Sequence, residues 1–519
     1  MAASLTRRYF LQTALATSAA AGAGEWASLL PLSSATADEA KVTPDLVRFG
    51  PDIEPVVKLI EETPQDKCVS AMVEQLRKGL PYRHFLAALY LAAIRAARWH
   101  GDGIHGYDHS AYVVHSAYQL SLDLPASEQL LPAFYALSGF KGGQKAYPNK
   151  KGTPALTGKL PAAEKAVEEL HAAMREWQPD RAERAIVAMV RSLGMRAVLE
   201  PLWHYAGRDW GFIGHMAILV ANSCRLLETI GWQHAEHVLR YVAEGLSGWG
   251  KRHAQDPEVQ PYWSNLQRVE RAARRLPGDW AEANGNEGLT KDLVVLIRGG
   301  KPGEACDLAV RCLIEGKGQA GAIWDAVHIA AGELVLSSKT HAQHRPVNSS
   351  ALHANTAANA LHYAFRASAG PDTRLLLTLQ ALAWMDLYRQ GILKGKHLAE
   401  PVDIVRLTGA KLPDKPEAAI DEILATRTAK PRDASRLAFA FAQHHRIEAL
   451  LSAARSLLPS KSSGDPHDIK FPVAIFEDLG LVSPQWRPHL SAVAAYSFWG
   501  SERPDLPVIQ QVREAVRKL

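Results

Sequence analysis

Apolar residues recur at spacings of three and four along almost the whole chain, and a helical fold is the arrangement that buries such a pattern. Phe85, Leu86, Leu89, Tyr90, Ala93 and Ile94 form one stripe. Val167, Leu170, Met174 and Trp177 form another, and Leu375, Leu376, Leu379, Leu382 and Ala383 lie in a long segment that opens after Pro371. Pro is tolerated there because the first-turn N–H has no partner to lose. Alternating strands are absent, β-branched runs are short and Ala is frequent, which disfavours a sheet. The pattern predicts an all-α fold of about twenty helices, packed as antiparallel pairs in layers or a curved array. No period near about 34 or 40 residues repeats, which excludes a regular solenoid.

Composition narrows the function classes. The 519 residues are 47% apolar and 22% charged, the balance of a globular protein. A net charge of +5 over that length, with no basic stripe, argues against nucleic acid as a partner. Beyond the N-terminus no uncharged apolar run is long enough to span a bilayer, so no integral membrane segment is expected in the mature chain. Cys68, Cys224, Cys306 and Cys312 make no Cys-x-x-Cys pair and read as free buried thiols.

The N-terminus has the features of an export leader. Thr6-Arg7-Arg8-Tyr9-Phe10-Leu11-Gln12 places paired arginines before an aromatic residue and a leucine, and an Ala-rich stretch follows. Ala35-Thr36-Ala37 fits a small-x-small cleavage site. This predicts a twin-arginine signal over residues 1–37, with Arg7 and Arg8 read by the twin-arginine translocase. A mature chain of 38–519 would then lie in the periplasm or outside the cell. Such a substrate crosses folded, so a cofactor can be inserted beforehand. Irregular composition marks residues 139–160, residues 277–288 (a point of subdivision) and residues 460–472, which lead into a C-terminal tail, 460–519, that wraps the helical body.

Histidine is the residue type placed to carry chemistry, since imidazole serves as base, proton shuttle or metal ligand near neutral pH. Twelve of the 21 histidines fall in four groups: His100, His105, His109 and His115; His204 and His215; His234 and His237; His341, His344, His353 and His362. His109, His115, His215 and His353 stand in helix-like segments of small and apolar residues, where a buried imidazole needs a partner. His109 and His115 are six residues apart, about 240° round a helix, so ligands to one ion must come from separate helices. No His-Glu-x-x-His motif is present, and neither is a nucleophile elbow or a phosphate loop. Gly101-Asp102-Gly103-Ile104-His105-Gly106 matches a dinucleotide fingerprint in letters only, because a helix rather than a strand is expected before it.

Three segments, in order, resemble the questin oxidase family. They are Tyr107-Asp108-His109 through His115-Ser116-Ala117-Tyr118, Gly211-Phe212-Ile213-Gly214-His215 through Leu226-Leu227-Glu228, and Asn348-Ser349-Ser350-Ala351-Leu352-His353-Ala354-Asn355-Thr356. The resemblance implies an all-helical fold and a Baeyer–Villiger type of oxidation on aromatic polyketides, using NADPH and oxygen. The expectation is an exported oxidoreductase-like enzyme with a histidine-lined pocket for an aromatic small molecule. His109, His115, His215 and His353 would be catalytic, one of them as general base. Asn222 and Asn355 would orient them, and Tyr112 and Trp210 are the aromatic candidates for the substrate wall. A metal ion on His109, His215 and His353 is the variant mechanism. A non-catalytic helical scaffold for a peptide, glycan or protein is the alternative.

Overall fold

The computed structural model describes residues 47–96, 106–147, 152–248, 255–339 and 347–517. The segment 1–37 expected to be a leader, with Arg7 and Arg8, together with His100, His105, His341 and His344, lies outside them. Among the described residues there are 22 α-helices and no strand; one isolated bridge joins Ser338 to Leu398. No described helix is long and apolar enough to cross a membrane. All four cysteines are free, three of them buried and Cys312 half-buried.

Seven helices position the site. In chain order they are α1 (Tyr82–Ala96), α2 (Gly106–Leu122), α3 (His215–Ile230), α4 (Ala320–Ser337), α5 (Ser349–Ala367), α6 (Pro371–Lys394) and α7 (His467–Asp478). α5 is central and packs against α3, α4, α6 and α7. Its Ala351, Ala354, Ala357, Ala358, Ala360 and Ala364 are buried, and such small side chains let neighbouring helices approach closely. α2 packs against α1, α3 and α7, so α2, α3, α5 and α7 close a ring.

Two irregular segments of the sequence are helical. Residues 139–146 continue the helix Leu131–Ala146, because Phe140 and Lys141 are buried there, the Lys141 ammonium bonding to the carbonyls of Ile60 and Glu61. Of residues 460–472, the last six already belong to α7, in spite of Pro472 inside it. Phe471 and Ile475 are buried, and packing on α2 and α5 outweighs the lost backbone bond. Residues 277–286 do form a turn-rich connection, closed by Asn286, which caps the next helix by accepting from the Leu289 N–H.

Candidate metal centre

Four imidazoles meet where the ring of helices begins. His109 lies in the first turn of α2, His215 is the first residue of α3, His353 lies in the second turn of α5, and His467 is the first residue of α7. One nitrogen from each lies within 4.8 Å of all the others. The Nε2 of His215 stands 3.3 Å from that of His109 and 3.1 Å from that of His353, which is 3.3 Å from that of His467. Three of the rings are buried and His109 is half-buried. Among the described residues this is the one group of three or more His, Cys, Asp or Glu residues placed to hold an ion.

Three of the rings are held from behind. The short Asp209–Gly214 turn delivers His215: the Asp209 carboxylate accepts from the Gly211 N–H at 2.7 Å, and Tyr388 donates to the Ile213 carbonyl at 3.0 Å. Three successive residues there, Phe212, Ile213 and Gly214, have φ of 57°, 51° and 78°. A left-handed conformation is costly for a β-branched residue such as Ile213, and strain of this kind persists where the surroundings over-determine it. It places the Phe212 carbonyl against His215 Nδ1. Asn348 caps α5, and His353 Nδ1 reaches back 2.7 Å to the Ser349 carbonyl, the direction helical side chains favour. Asp465, two residues before α7, accepts both the His467 N–H at 2.9 Å and its Nδ1 at 2.5 Å.

These contacts assign the tautomers. The Phe212 and Ser349 carbonyls and the Asp465 carboxylate are acceptors, so in His215, His353 and His467 the proton of a neutral ring sits on Nδ1. In that neutral form their Nε2 lone pairs point toward one another. Extra protons are disfavoured. Burial pushes the His353 imidazole well below its ordinary value, and the charges of His215, Lys470 and His467 add to this. Burial likewise lowers His109, with His467, Lys470 and His215 contributing. All four rings also sit near helix N-termini, where the partial positive charge of unbonded N–H groups opposes protonation. What remains is a set of converging lone pairs that a cation accepting electron pairs would satisfy. Metal–imidazole bonds of about 2.0–2.1 Å in a tetrahedron put the donors about 3.3–3.4 Å apart. The three Nε2 separations of 3.1–3.3 Å match this. Four nitrogens and no oxygen suit Zn²⁺, Cu²⁺, Co²⁺, Ni²⁺ or Fe²⁺ rather than Mg²⁺ or Ca²⁺.

The other residues singled out in the sequence fall in different places. His115 is buried on α2 but outside the group, on the far side of the helix that its six-residue offset from His109 dictates. Asn222 donates to the Tyr112 carbonyl at 3.0 Å, and Asn355 to the carbonyls of Ala331 and Ala351, so each ties backbone and neither touches an imidazole. Tyr112 does border the cluster, its ring centroid 5.5 Å from that of His215 and 5.9 Å from that of His109. Trp210, within the turn that delivers His215, sits edge-on to Tyr388. Two surface clefts, of about 500 and 330 Å³, are lined by none of the four histidines. The helix expected before Gly101, rather than a strand, is α1.

His467 is the member of the cluster that sequence reasoning missed, since its segment reads as a loop. The available signal was Asp465-Pro466-His467, a carboxylate two residues before a histidine at a proline-marked helix start. Comparison with known proteins adds no relative: no family model matches the chain, and no match is found among curated proteins or solved structures.

Proposed function

We propose that the chain binds one transition-metal ion on His109, His215, His353 and His467 and is a metal-dependent oxidoreductase. The observation that carries this reading is the convergence of three lone-pair-bearing Nε2 atoms whose protons are committed elsewhere. The Asp465 carboxylate behind His467 raises that ring's basicity, as second-layer carboxylates do for metal-bound histidines. A redox-active ion would supply one-electron chemistry or oxygen activation, while the chain's own groups hold, orient and shield it. Half-buried His109 is the solvent-facing corner, next to Tyr112, and this is the side on which a small aromatic molecule would approach. Each segment that resembles questin oxidase supplies one of these ligands, His109, His215 and His353, which supports oxidation of an aromatic substrate. NADPH enters this reading only through that resemblance. Export by the twin-arginine route, with Arg7 and Arg8 in the leader, suits a centre loaded before translocation.

A second reading has one specific observation behind it. Four protein donors fill a tetrahedron, which is the habit of a structural ion in a non-catalytic scaffold. Elemental analysis of natively exported protein tests the main proposal: one equivalent of a first-row transition metal is expected, and His353→Ala should lose it. Protein that stays empty after exposure to micromolar Zn²⁺, Cu²⁺, Co²⁺ and Fe²⁺ sinks both readings. Azide then separates them, shifting the absorption of the Cu²⁺ or Co²⁺ form only where a coordination position is open.

A further inference from the structure

Below the imidazoles lies a second buried polar layer that the metal reading does not use. Arg225 of α3 donates to the Asn359 side-chain Oδ1 of α5 at 2.8 Å and pairs with Glu477 of α7 at 3.0 Å. Asn359 in turn donates to Asp478 Oδ1 at 2.7 Å and lies 3.2 Å from Glu477. The other Asp478 oxygen lies 3.3 Å from His328 Nδ1 of α4, and His328 Nε2 is 2.9 Å from His362 Nδ1 of α5. Arg225, Asn359, Asp478 and His328 are all at least nine-tenths buried.

The position of this layer is informative. Arg225 is ten residues after His215, Asn359 six after His353, and Asp478 eleven after His467. At about 1.5 Å per residue the layer sits about 9–17 Å along the same three helices, which therefore run side by side in the same direction. An apolar contact rich in alanine has little relief, so it specifies axial register weakly. A buried charged network often stabilises no more than apolar packing of the same volume, and its best-attested use is to fix register. α7 has most need of it, being only 12 residues long with a proline inside.

Resting on the reading of the four histidines as a metal centre, we propose that the Arg225–Asn359–Asp478 brace, backed by His328, positions three of the ligands from a distance. Arg225, Asn359 and Asp478 are positioning residues: they lock the relative height of α3, α5 and α7, and so the spacing of His215, His353 and His467.

Co²⁺ binding to the full-length protein tests this in wild type, Asp478→Asn and Asn359→Leu, with Arg225→Lys as the mildest cut. The folded variants should still take one equivalent of Co²⁺, with affinity lower by about 10–100-fold and displaced ligand-field bands, whereas His353→Ala should bind none. Folded variants with wild-type affinity and wild-type bands overturn the brace. Wild type that takes no ion defeats the metal reading instead. The brace is then judged on metal-free protein by ¹⁵N-histidine NMR, where unmoved His215, His353 and His467 signals in Asp478→Asn reject it and displaced ones uphold it.

Discussion

At the scale of single residues, the proposed centre would depend on groups that touch no ion. Asp465 fixes the tautomer and raises the basicity of His467. Asp465→Asn should therefore retain the fold and bind metal about 10–100-fold more weakly in competition with a chromophoric chelator. Unchanged affinity would remove Asp465 from the site. Gly214 is required for two separate reasons: its φ is 78°, and a Cβ there would stand 2.2 Å from the Tyr388 hydroxyl and 2.9 Å from the Ala357 methyl. Gly214→Ala is expected to cost about 2–4 kcal/mol in urea denaturation. Adding Tyr388→Phe should recover only part of this, because the backbone strain remains. In the sequence Gly214 is one glycine among 37, and Asp465 reads as a loop residue whose one signal is its place two residues before His467.

At the scale of helices, buried charges join elements whose apolar faces would otherwise slide. Arg240, on the helix Ala235–Ser247, pairs with Glu183, on the helix Pro179–Ser192, and both are almost fully buried. Glu183→Gln leaves the guanidinium without its counter-charge and should cost about 3–5 kcal/mol, read from the denaturation midpoint. His328 makes the α4–α5–α7 junction depend on pH. Burial pulls its imidazole down, but Asp478, by charge and hydrogen bond, with Asp325 and Glu477 behind it, holds it above its ordinary value of 6.5. Its neighbour His362 is lowered by burial, His328, Arg366 and Arg225, and so stays neutral to accept the bond. Because His328 gains proton affinity on folding, its contribution is complete below pH 6.5 and is lost as pH rises through the higher folded value. Wild-type stability should thus fall more steeply above pH 6.5 than that of His328→Gln; equal slopes would show that His328 is not protonated in the fold. The helices themselves were legible from periodicity. α7 was not, because Ser, Gly, Asp and Pro at its start carry loop chemistry, and only packing against α2 and α5 makes it a helix.

For the whole molecule, ligands at positions 109, 215, 353 and 467 mean that one ion would close loops over most of the chain. An ion bound only by the folded state stabilises it by about 4 kcal/mol at a thousandfold excess over Kd, so chelation should lower the melting temperature and re-addition restore it. A Tm indifferent to both would argue against an ion held by the native fold. What the sequence determined alone is helicity and, among the described residues, the absence of a sheet, and it singled out three of the four clustered histidines together with His115, which lies outside the cluster, because the apolar period and an isolated imidazole in an Ala-rich helix are local properties. The site itself was decided by tertiary structure. Whether His353 meets His467 or His115 depends on which helices close the ring and at what height, and those choices come from packing between residues more than a hundred positions apart.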